Sequence, residues 1–383
     1  MGHVRVLYVI DSLAPGGAER SLVSIAPHLL SRGVALRVVT IHDRPGLRAD
    51  LERSGVDVEH LAPGGRGDRV RQLAAVIRRE RPELVHTTLF ESDIAGRLAA
   101  RRAGVPCVST LAGASYGRDH VGQPGYRHIR LRGAQAVDIA TAQLVRRFHA
   151  VSGVVAAAMA SRLFVPSRRI EVVHRGRDAA VLGRRAPERT VAVRAGLGID
   201  GSAPLLVAIA RHEYDKGLDV AVQAMAAVRR SAPEAVLVVA GREGNQTEAL
   251  RALAREAGVE EAVRLLGPRS DVADLLGAAD VFLAPSRREG LPGSVLEAMA
   301  LEAPIVASDL PSVREVVGSD GACARLVPVG SVAAVADAVA DTLADAVETA
   351  AKAGAGRERF ERLFTIERAA DGMVGFYQRA VGG

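Results

Sequence analysis

The stretch Val281-Phe-Leu-Ala-Pro-Ser-Arg-Arg-Glu-Gly-Leu-Pro-Gly-Ser-Val-Leu-Glu-Ala-Met-Ala300 contains the pattern on which the whole chain is built. Val281–Ala284 has no polar residue and is too apolar to be a half-exposed strand. The Gly/Pro-rich segment that follows reads as a loop, and beyond it a helix begins. A fully buried strand leading through a loop into a helix is the unit of a parallel sheet covered by helices.

Outward from that stretch the unit recurs. Val4–Ile10, Leu36–Ile41, Val56–Leu61, Leu84–Thr87, Pro106–Leu111 and Phe148–Val151 read as strands, with amphipathic stretches between most of them. A second series runs through Leu205–Ala210, Val236–Ala240, Val263–Leu266, Val281–Ala284, Ile305–Ala307 and Leu326–Pro328. Right-handed crossovers then predict an α/β protein of two Rossmann-like domains, each a parallel sheet with helices on both faces. The segment from His174 to Gly201 breaks the periodicity with Gly176, Gly183, Pro187, Gly196 and Gly198 and is read as the junction, with a cleft there. Ligands of such sheets lie beyond the carboxyl ends of the strands, which directs attention to the loops after Ile10, Ala210, Ala240 and Ala284.

Composition narrows the function classes. With 383 residues, 48% hydrophobic and 25% charged, the chain is neither disordered, collagenous nor a coiled coil. Its longest membrane-span candidate, Ala150 to Ser161, falls short of the roughly 18 to 20 apolar residues a bilayer requires. The start runs directly into a strand pattern without a leader, so a cytoplasmic location is expected. Cys107 and Cys323 lie more than 200 positions apart, form neither a disulfide framework nor a zinc spacing, and are expected to be buried.

Charge is unevenly distributed: 25 basic against 14 acidic residues over 1–170, and 25 against 30 over 171–383. The basic half either presents solvated helix faces or meets an anionic partner, a membrane surface or a phosphorylated substrate. Nucleic acid is excluded as a partner because aromatics make up only 3% of the chain and Trp is absent, leaving no stacking platform. Only two of the 50 basic residues are lysine, Lys216 and Lys352, so a lysine here stands out against an arginine background.

Four loops carry chemistry. Gly16-Gly17 after the first strand opens a helix, and either brings backbone amides to an anion or only makes a tight turn. Arg211 and Lys216, in Ala210-Arg-His-Glu-Tyr-Asp-Lys-Gly217, place two cations where a diphosphate fits, against the plainer reading of surface charge. Glu289 and Glu297 stand eight positions apart across a Gly/Pro loop and a helix start. Ser294 and Glu297 have the S-x-x-E spacing of a capping box, while Glu297 is equally placed to accept from two vicinal ribose hydroxyls. The segment from Ile170 to Asp178 ends a strand and fits cleft lining or a hinge. His86 and His120 in the basic half are further candidates, against the commoner structural role of a lone histidine.

These residues resemble the retaining glycosyltransferases of family 4, with the GT-B fold, nearly from end to end. Glu289-Gly-Leu-Pro with Glu297-Ala-Met-Ala resembles the family's E-x7-E signature, and Arg211 with Lys216 its R-x4-K pair. The Gly16-Gly17-Ala-Glu-Arg20 loop resembles a subgroup opening, Phe148-His-Ala-Val-Ser152 the last strand of the first domain, and Glu171 to Asp178 the linker. The ending, from Phe364 through Phe376-Tyr377, resembles a C-terminal helix crossing back to the first domain.

The resemblance implies two domains facing a central cleft: an acceptor-binding domain over 1–170, a nucleotide-sugar-binding domain over 171–360, and a returning helix over 361–383. It implies that Arg211 and Lys216 neutralise the departing diphosphate. Glu289, with Gly290, Leu291, Pro292, Gly293, Ser294 and Val295, holds the donor sugar; Glu297 holds the ribose; Gly16 and Gly17 approach the phosphates. No enzyme nucleophile is needed, since the leaving phosphate takes the acceptor proton. Many relatives carry a histidine after the strand that here continues Leu111-Ala-Gly-Ala-Ser-Tyr116, and this chain has none there. Ser115, Tyr116 and His120 are the acceptor-side substitutes to consider, with His86.

No two aspartates stand two apart, so the D-x-D metal pair of other transferases is missing and neither metal nor cofactor is expected. The co-substrate is a UDP- or GDP-sugar, and the acceptor a lipid-linked molecule or a glycan of surface polysaccharide or glycolipid synthesis, with the basic half touching the inner face of the membrane. A soluble natural product or cyclitol is the alternative acceptor. An alternative of another class is a nucleotide-sugar epimerase, or a non-catalytic binder, on the same fold.

Overall fold

The computed structural model describes residues 4–44, 46–117 and 128–382. Its described strands are β1 (Val4–Ile10), β2 (Val34–Thr40), β3 (Asp57–His60), β4 (Leu84–Thr88), β5 (Cys107–Leu111), β6 (Arg147–Ala150), β7 (Ile170–Val172), β8 (Leu205–Ile209), β9 (Val236–Ala240), β10 (Val263–Gly267), β11 (Val281–Ala284), β12 (Ile305–Ser308) and β13 (Arg325–Val327). They form a seven-stranded sheet in the order β3-β2-β1-β4-β5-β6-β7 and a six-stranded sheet in the order β10-β9-β8-β11-β12-β13. Every pairing in both is parallel, so the two Rossmann-like sheets predicted from the sequence are present.

The chain divides into two compact units, one of residues 1–176 with 365–383, the other of 177–364. In the first, alternate residues of β1 serve opposite faces of the sheet, as the period of a strand requires. Val4, Val6, Tyr8 and Ile10 pack into one core with the helices Gly17–Leu30 and Ile366–Gly382. Leu7 and Val9 pack into another with the helices Arg66–Glu80 and Phe90–Ala103. The returning helix is integral to the first core, to which it contributes buried Phe376 and Tyr377.

A buried ion cluster ties two helices of this unit together. Arg97 on Phe90–Ala103 has a fully buried side chain and donates to Asp138 on His128–Ala142 at 2.6 Å and to Ser109 of β5 at 2.9 Å. Asp93, 3.4 Å away, supplies the second carboxylate.

In the second unit, β8, β9 and β11 pack one face against the helices Leu218–Ser231 and Val332–Ala344. The segment from His174 to Gly201, read as the junction, does contain the division between the units, at Gly176 and Arg177. Beyond that point it is not irregular: it forms the helices Ala179–Leu182 and Pro187–Gly196, with Gly183, Gly196 and Gly198 at or just beyond their ends. Those helices belong to the second unit: Arg194 donates to Asp280 at 2.5 Å, and Arg189 to Asp274 at 2.5 Å. Cys107 and Cys323 are both buried free thiols. No helix among the described residues is long and apolar enough to cross a membrane.

Candidate functional site

The chemistry-bearing loops of the second unit follow β8 and β11, neighbouring strands whose carboxyl ends bring the two loops together. After β8 the chain makes a short 3-10 turn, Tyr214–Lys216, and enters the helix through Gly217. Gly217 has a φ of +62°, and a Cβ there would collide with the Pro285 carbonyl oxygen of the other loop. Only glycine combines that backbone with that approach. From the β11 side, the amide of Arg287 donates to the Asp215 carbonyl at 2.8 Å, and its guanidinium grips Asp219 through bonds of 2.7 and 2.6 Å. The same guanidinium lies 4.2 Å from the centre of the Tyr214 ring.

Within this clamp Lys216 Nζ donates to Glu289 Oε1 at 2.8 Å, and the Ser286 hydroxyl donates to the same oxygen at 2.8 Å. Both charged side chains are largely buried, at 19% and 14% exposure, so the pair is shielded from solvent. Arg211 lies exposed in the loop just past β8. Gly290, Leu291 and Pro292 lead into the helix Gly293–Ala300, with Gly293, Ser294 and Val295 in its first turn.

Glu297 is not a capping residue. The helix is capped by Pro292 without a side-chain bond, because it starts at Gly293, two residues too early for Ser294 to be its cap. The carboxylate instead accepts from Arg177 Nε at 2.6 Å. Arg177 went unrecognised as a site residue because its partner lies 120 positions away; the only signal was the basic pair flanking Gly176. Ser286 was missed for a simpler reason, as nothing in its spacing marks it.

In the first unit Gly16 is the extended cap of the helix Gly17–Leu30, with the Glu19 side chain packed over it. His86 is 1% exposed and uses both ring nitrogens inside the core. His149 Nε2 faces the Val173 carbonyl at 2.9 Å and must donate to it, leaving its Nδ1 to accept from Thr110 at 3.0 Å. The Thr110 oxygen therefore accepts from His86 Nε2 at 2.7 Å, and His86 Nδ1 accepts from the Tyr377 hydroxyl at 2.7 Å. The result is a one-way relay of neutral groups. Burial holds the His86 ring well below its ordinary value, helped by nearby His149, and pushes His149 down to about 4.

The acceptor-side candidates thus fare differently. His86 has no ring nitrogen left over for an acceptor. Tyr116 donates its hydroxyl to Asp138 at 2.8 Å, and burial with that carboxylate pushes its acidity down, raising the pKa. Ser115 offers its carbonyl to Arg162 at 2.7 Å, and its side chain is half-buried. His120 lies outside the described residues.

Comparison with known proteins identifies two family matches: "Glycosyltransferase Family 4" over residues 15–181 and "Glycosyl transferases group 1" over residues 192–359. The chain is 31% identical over 351 residues to the 2-deoxystreptamine N-acetyl-D-glucosaminyltransferase of Streptomyces fradiae, covering 84% of this chain and 81% of that protein. It is 30% identical over 355 residues to the D-inositol 3-phosphate glycosyltransferase of Kribbella flavida, with coverage of 84% and 81%. Among solved structures, Anabaena HepE in complex with UDP-glucose superposes with a TM-score of 0.86 at 21% identity, over 98% of this chain and 100% of that one. WaaG, a glycosyltransferase involved in lipopolysaccharide biosynthesis, superposes with a TM-score of 0.77 at 18% identity, over 99% and 100%. The two parallel sheets, the paired family matches and relatives aligned over most of their length lead to one assignment: the chain belongs to glycosyltransferase family 4, with the GT-B fold.

Proposed function

We propose that the protein transfers a hexosyl group from a nucleotide diphosphate sugar, with retention at the anomeric carbon and without a metal ion, to a lipid-linked or glycan acceptor. The Lys216–Glu289 pair carries this reading. A shielded ammonium beside a carboxylate offers one partner for the donor's diphosphate and one for the sugar's hydroxyls. Arg211 adds a second cation from the same loop, so charge developing on the leaving diphosphate is met by fixed cations; each such donor is commonly worth about 10² to 10³ in rate. Glu297 is assigned to the ribose. HepE has been solved with UDP and with UDP-glucose, which supports a nucleotide-sugar donor here.

The acceptor class draws support from the first unit. An apolar hollow of about 630 Å³ opens among the helices Arg66–Glu80, Phe90–Ala103 and His128–Ala142, lined by Phe90, Ile94, Leu98 and Val137 together with Arg66, Arg69 and Arg130. Apolar lining beside the exposed Arg66 and Arg130 suits an amphiphile with an anionic head, while Arg69 is already paired with Glu91 at the same hollow. A second reading, a soluble cyclitol acceptor, is favoured by the relatives named for 2-deoxystreptamine and inositol 3-phosphate.

Calorimetry with UDP, GDP and ADP, free and as their sugars, tests the donor half, with Glu297→Ala as control. One nucleotide should bind the wild type and lose affinity in the variant; no binding by any of them would overturn the donor assignment. Product formation followed by nuclear magnetic resonance then separates the acceptors. Full turnover on a water-soluble cyclitol without lipid would replace the amphiphilic acceptor, and product of inverted configuration would remove retention.

A further inference from the structure

Arg177 has no part in the function proposed above, yet it occupies one of its key carboxylates. Its Nε donates to Glu297 Oε1 at 2.6 Å, and the two side chains are only 19% and 21% exposed. The guanidinium also lies against the first turn of the helix Gly293–Ala300: a Cβ on Gly293 would collide with Arg177 Nη2. Gly293 and Glu297 are four residues apart, on one face of that helix. The absent side chain at 293 therefore makes the room in which the guanidinium reaches Glu297. Its backbone is fixed too, since the Arg177 amide donates to the Phe364 carbonyl at 2.9 Å.

This is an awkward place for a cation. The amino-terminal turn of a helix is its positive end, where a positive charge is disfavoured. The carboxylate of Glu297 offsets that cost, and it can take another donor in place of the guanidinium.

We propose that Arg177 is a latch on Glu297, occupying the carboxylate that the nucleoside's vicinal hydroxyls must engage, and that donor binding displaces it. The inference rests on the assignment of Glu297 to the ribose. Hydroxyl donors replace the guanidinium on the carboxylate while no bond is made or broken covalently. Donor entry is thus an exchange of partners at Glu297: hydroxyls take the acid, the phosphates meet Lys216 and Arg211, and the displaced guanidinium, already partly exposed, turns to solvent and not to the ligand. Arg177 sets how tightly the site holds a ribonucleotide.

The sign of the effect makes the test sharp, because removing a direct ligand weakens binding whereas removing a latch strengthens it. Calorimetry on the full chain, with whichever of UDP, GDP and ADP the wild type binds, compares wild type, Arg177→Ala, Glu297→Ala and the double variant. Arg177→Met keeps the aliphatic stem over Gly293, should the alanine variant fold poorly. Arg177→Ala or Arg177→Met should bind the ribonucleotide diphosphate roughly 3- to 10-fold more tightly, the scale of a partly exposed ion pair. The gain should vanish in the Glu297→Ala background and shrink for the 2′-deoxynucleotide, which lacks one of the competing hydroxyls. Arg177→Lys, which keeps the charge, should return affinity toward wild type. Weaker or unchanged binding in both Arg177→Ala and Arg177→Met overturns the latch, as does a gain that survives the loss of Glu297. If Glu297→Ala alone leaves nucleotide affinity intact, the ribose assignment fails, and that result is visible whatever Arg177 does.

Discussion

Lys216 and Glu289, 73 positions apart in the chain, share a 2.8 Å ion pair between the loops that follow β8 and β11. Each of these side chains keeps the other in place while leaving it a partner to exchange. Lys216→Ala should therefore lower turnover by about 10² or more, from the loss of a preorganised cation, while circular dichroism shows the fold retained at a lowered thermal midpoint, since Glu289 loses its partner. A variant turning over at near wild-type rate would remove Lys216 from the reaction.

Gly217 sets the approach of those loops. Gly217→Ala places a side chain on a left-handed backbone and against the Pro285 carbonyl, so the loop bearing Lys216 has to move. We expect a loss of about 2 kcal/mol or more in denaturant unfolding, with nucleotide affinity falling in the same variant. Wild-type affinity at reduced stability would show that the clamp is not what places Lys216.

Arg97 is a fully buried cation held between Asp93 and Asp138. Arg97→Ala strands two carboxylates in the core and should cost about 3 to 5 kcal/mol in urea unfolding. Replacing only Tyr116 by Phe should cost far less, about 1 kcal/mol, because Asp138 keeps its arginine.

The His86 and His149 relay predicts a pH dependence of defined sign. Both rings are neutral when folded and titrate below their unfolded value of about 6.5, with His149 down to about 4. Below pH 6.5 the unfolded chain binds more protons than the folded one, so each ring's contribution is complete above about 6.5 and is lost as pH falls toward 4. The slope is up to about 1.4 kcal/mol per pH unit per ring. His149→Gln retains a donor for the Val173 carbonyl and should flatten that acid limb. Nitrogen chemical shifts should show both rings protonated at Nε2 alone; an Nδ1-protonated ring would break the relay as described.

Legibility in the sequence followed the length scale of each interaction. The strands could be read because burial on both faces writes itself as an apolar run, broken in β1 only by the exposed Arg5: β1, β9 and β11 begin and end where the sequence placed them. The helices within 179–201 could not, because their glycines lie at their ends and imitate a linker. Loops bearing Arg211, Lys216, Glu289 and Glu297 were visible because each is local, strand end to helix start. What each side chain holds was not, since Glu297 is bonded to Arg177 and His86 to Tyr377, 291 positions away. A short-range motif for helix capping at Ser294 gave way to a long-range ion pair, because the helix begins two residues earlier than the motif needs.

Tyr377 and Phe376 complete the core of a unit whose other strands and helices all precede Gly176. During synthesis the amino-terminal sheet emerges before the helix Ile366–Gly382, and until that helix is made the face it shares with the helix Gly17–Leu30 is only partly covered. The unit formed by residues 177–364 emerges whole in between and can close on itself. Of the two units, the one translated first is therefore the one finished last, and a nascent chain stalled before residue 365 would display a half-dressed sheet, an invitation to chaperones and to aggregation alike.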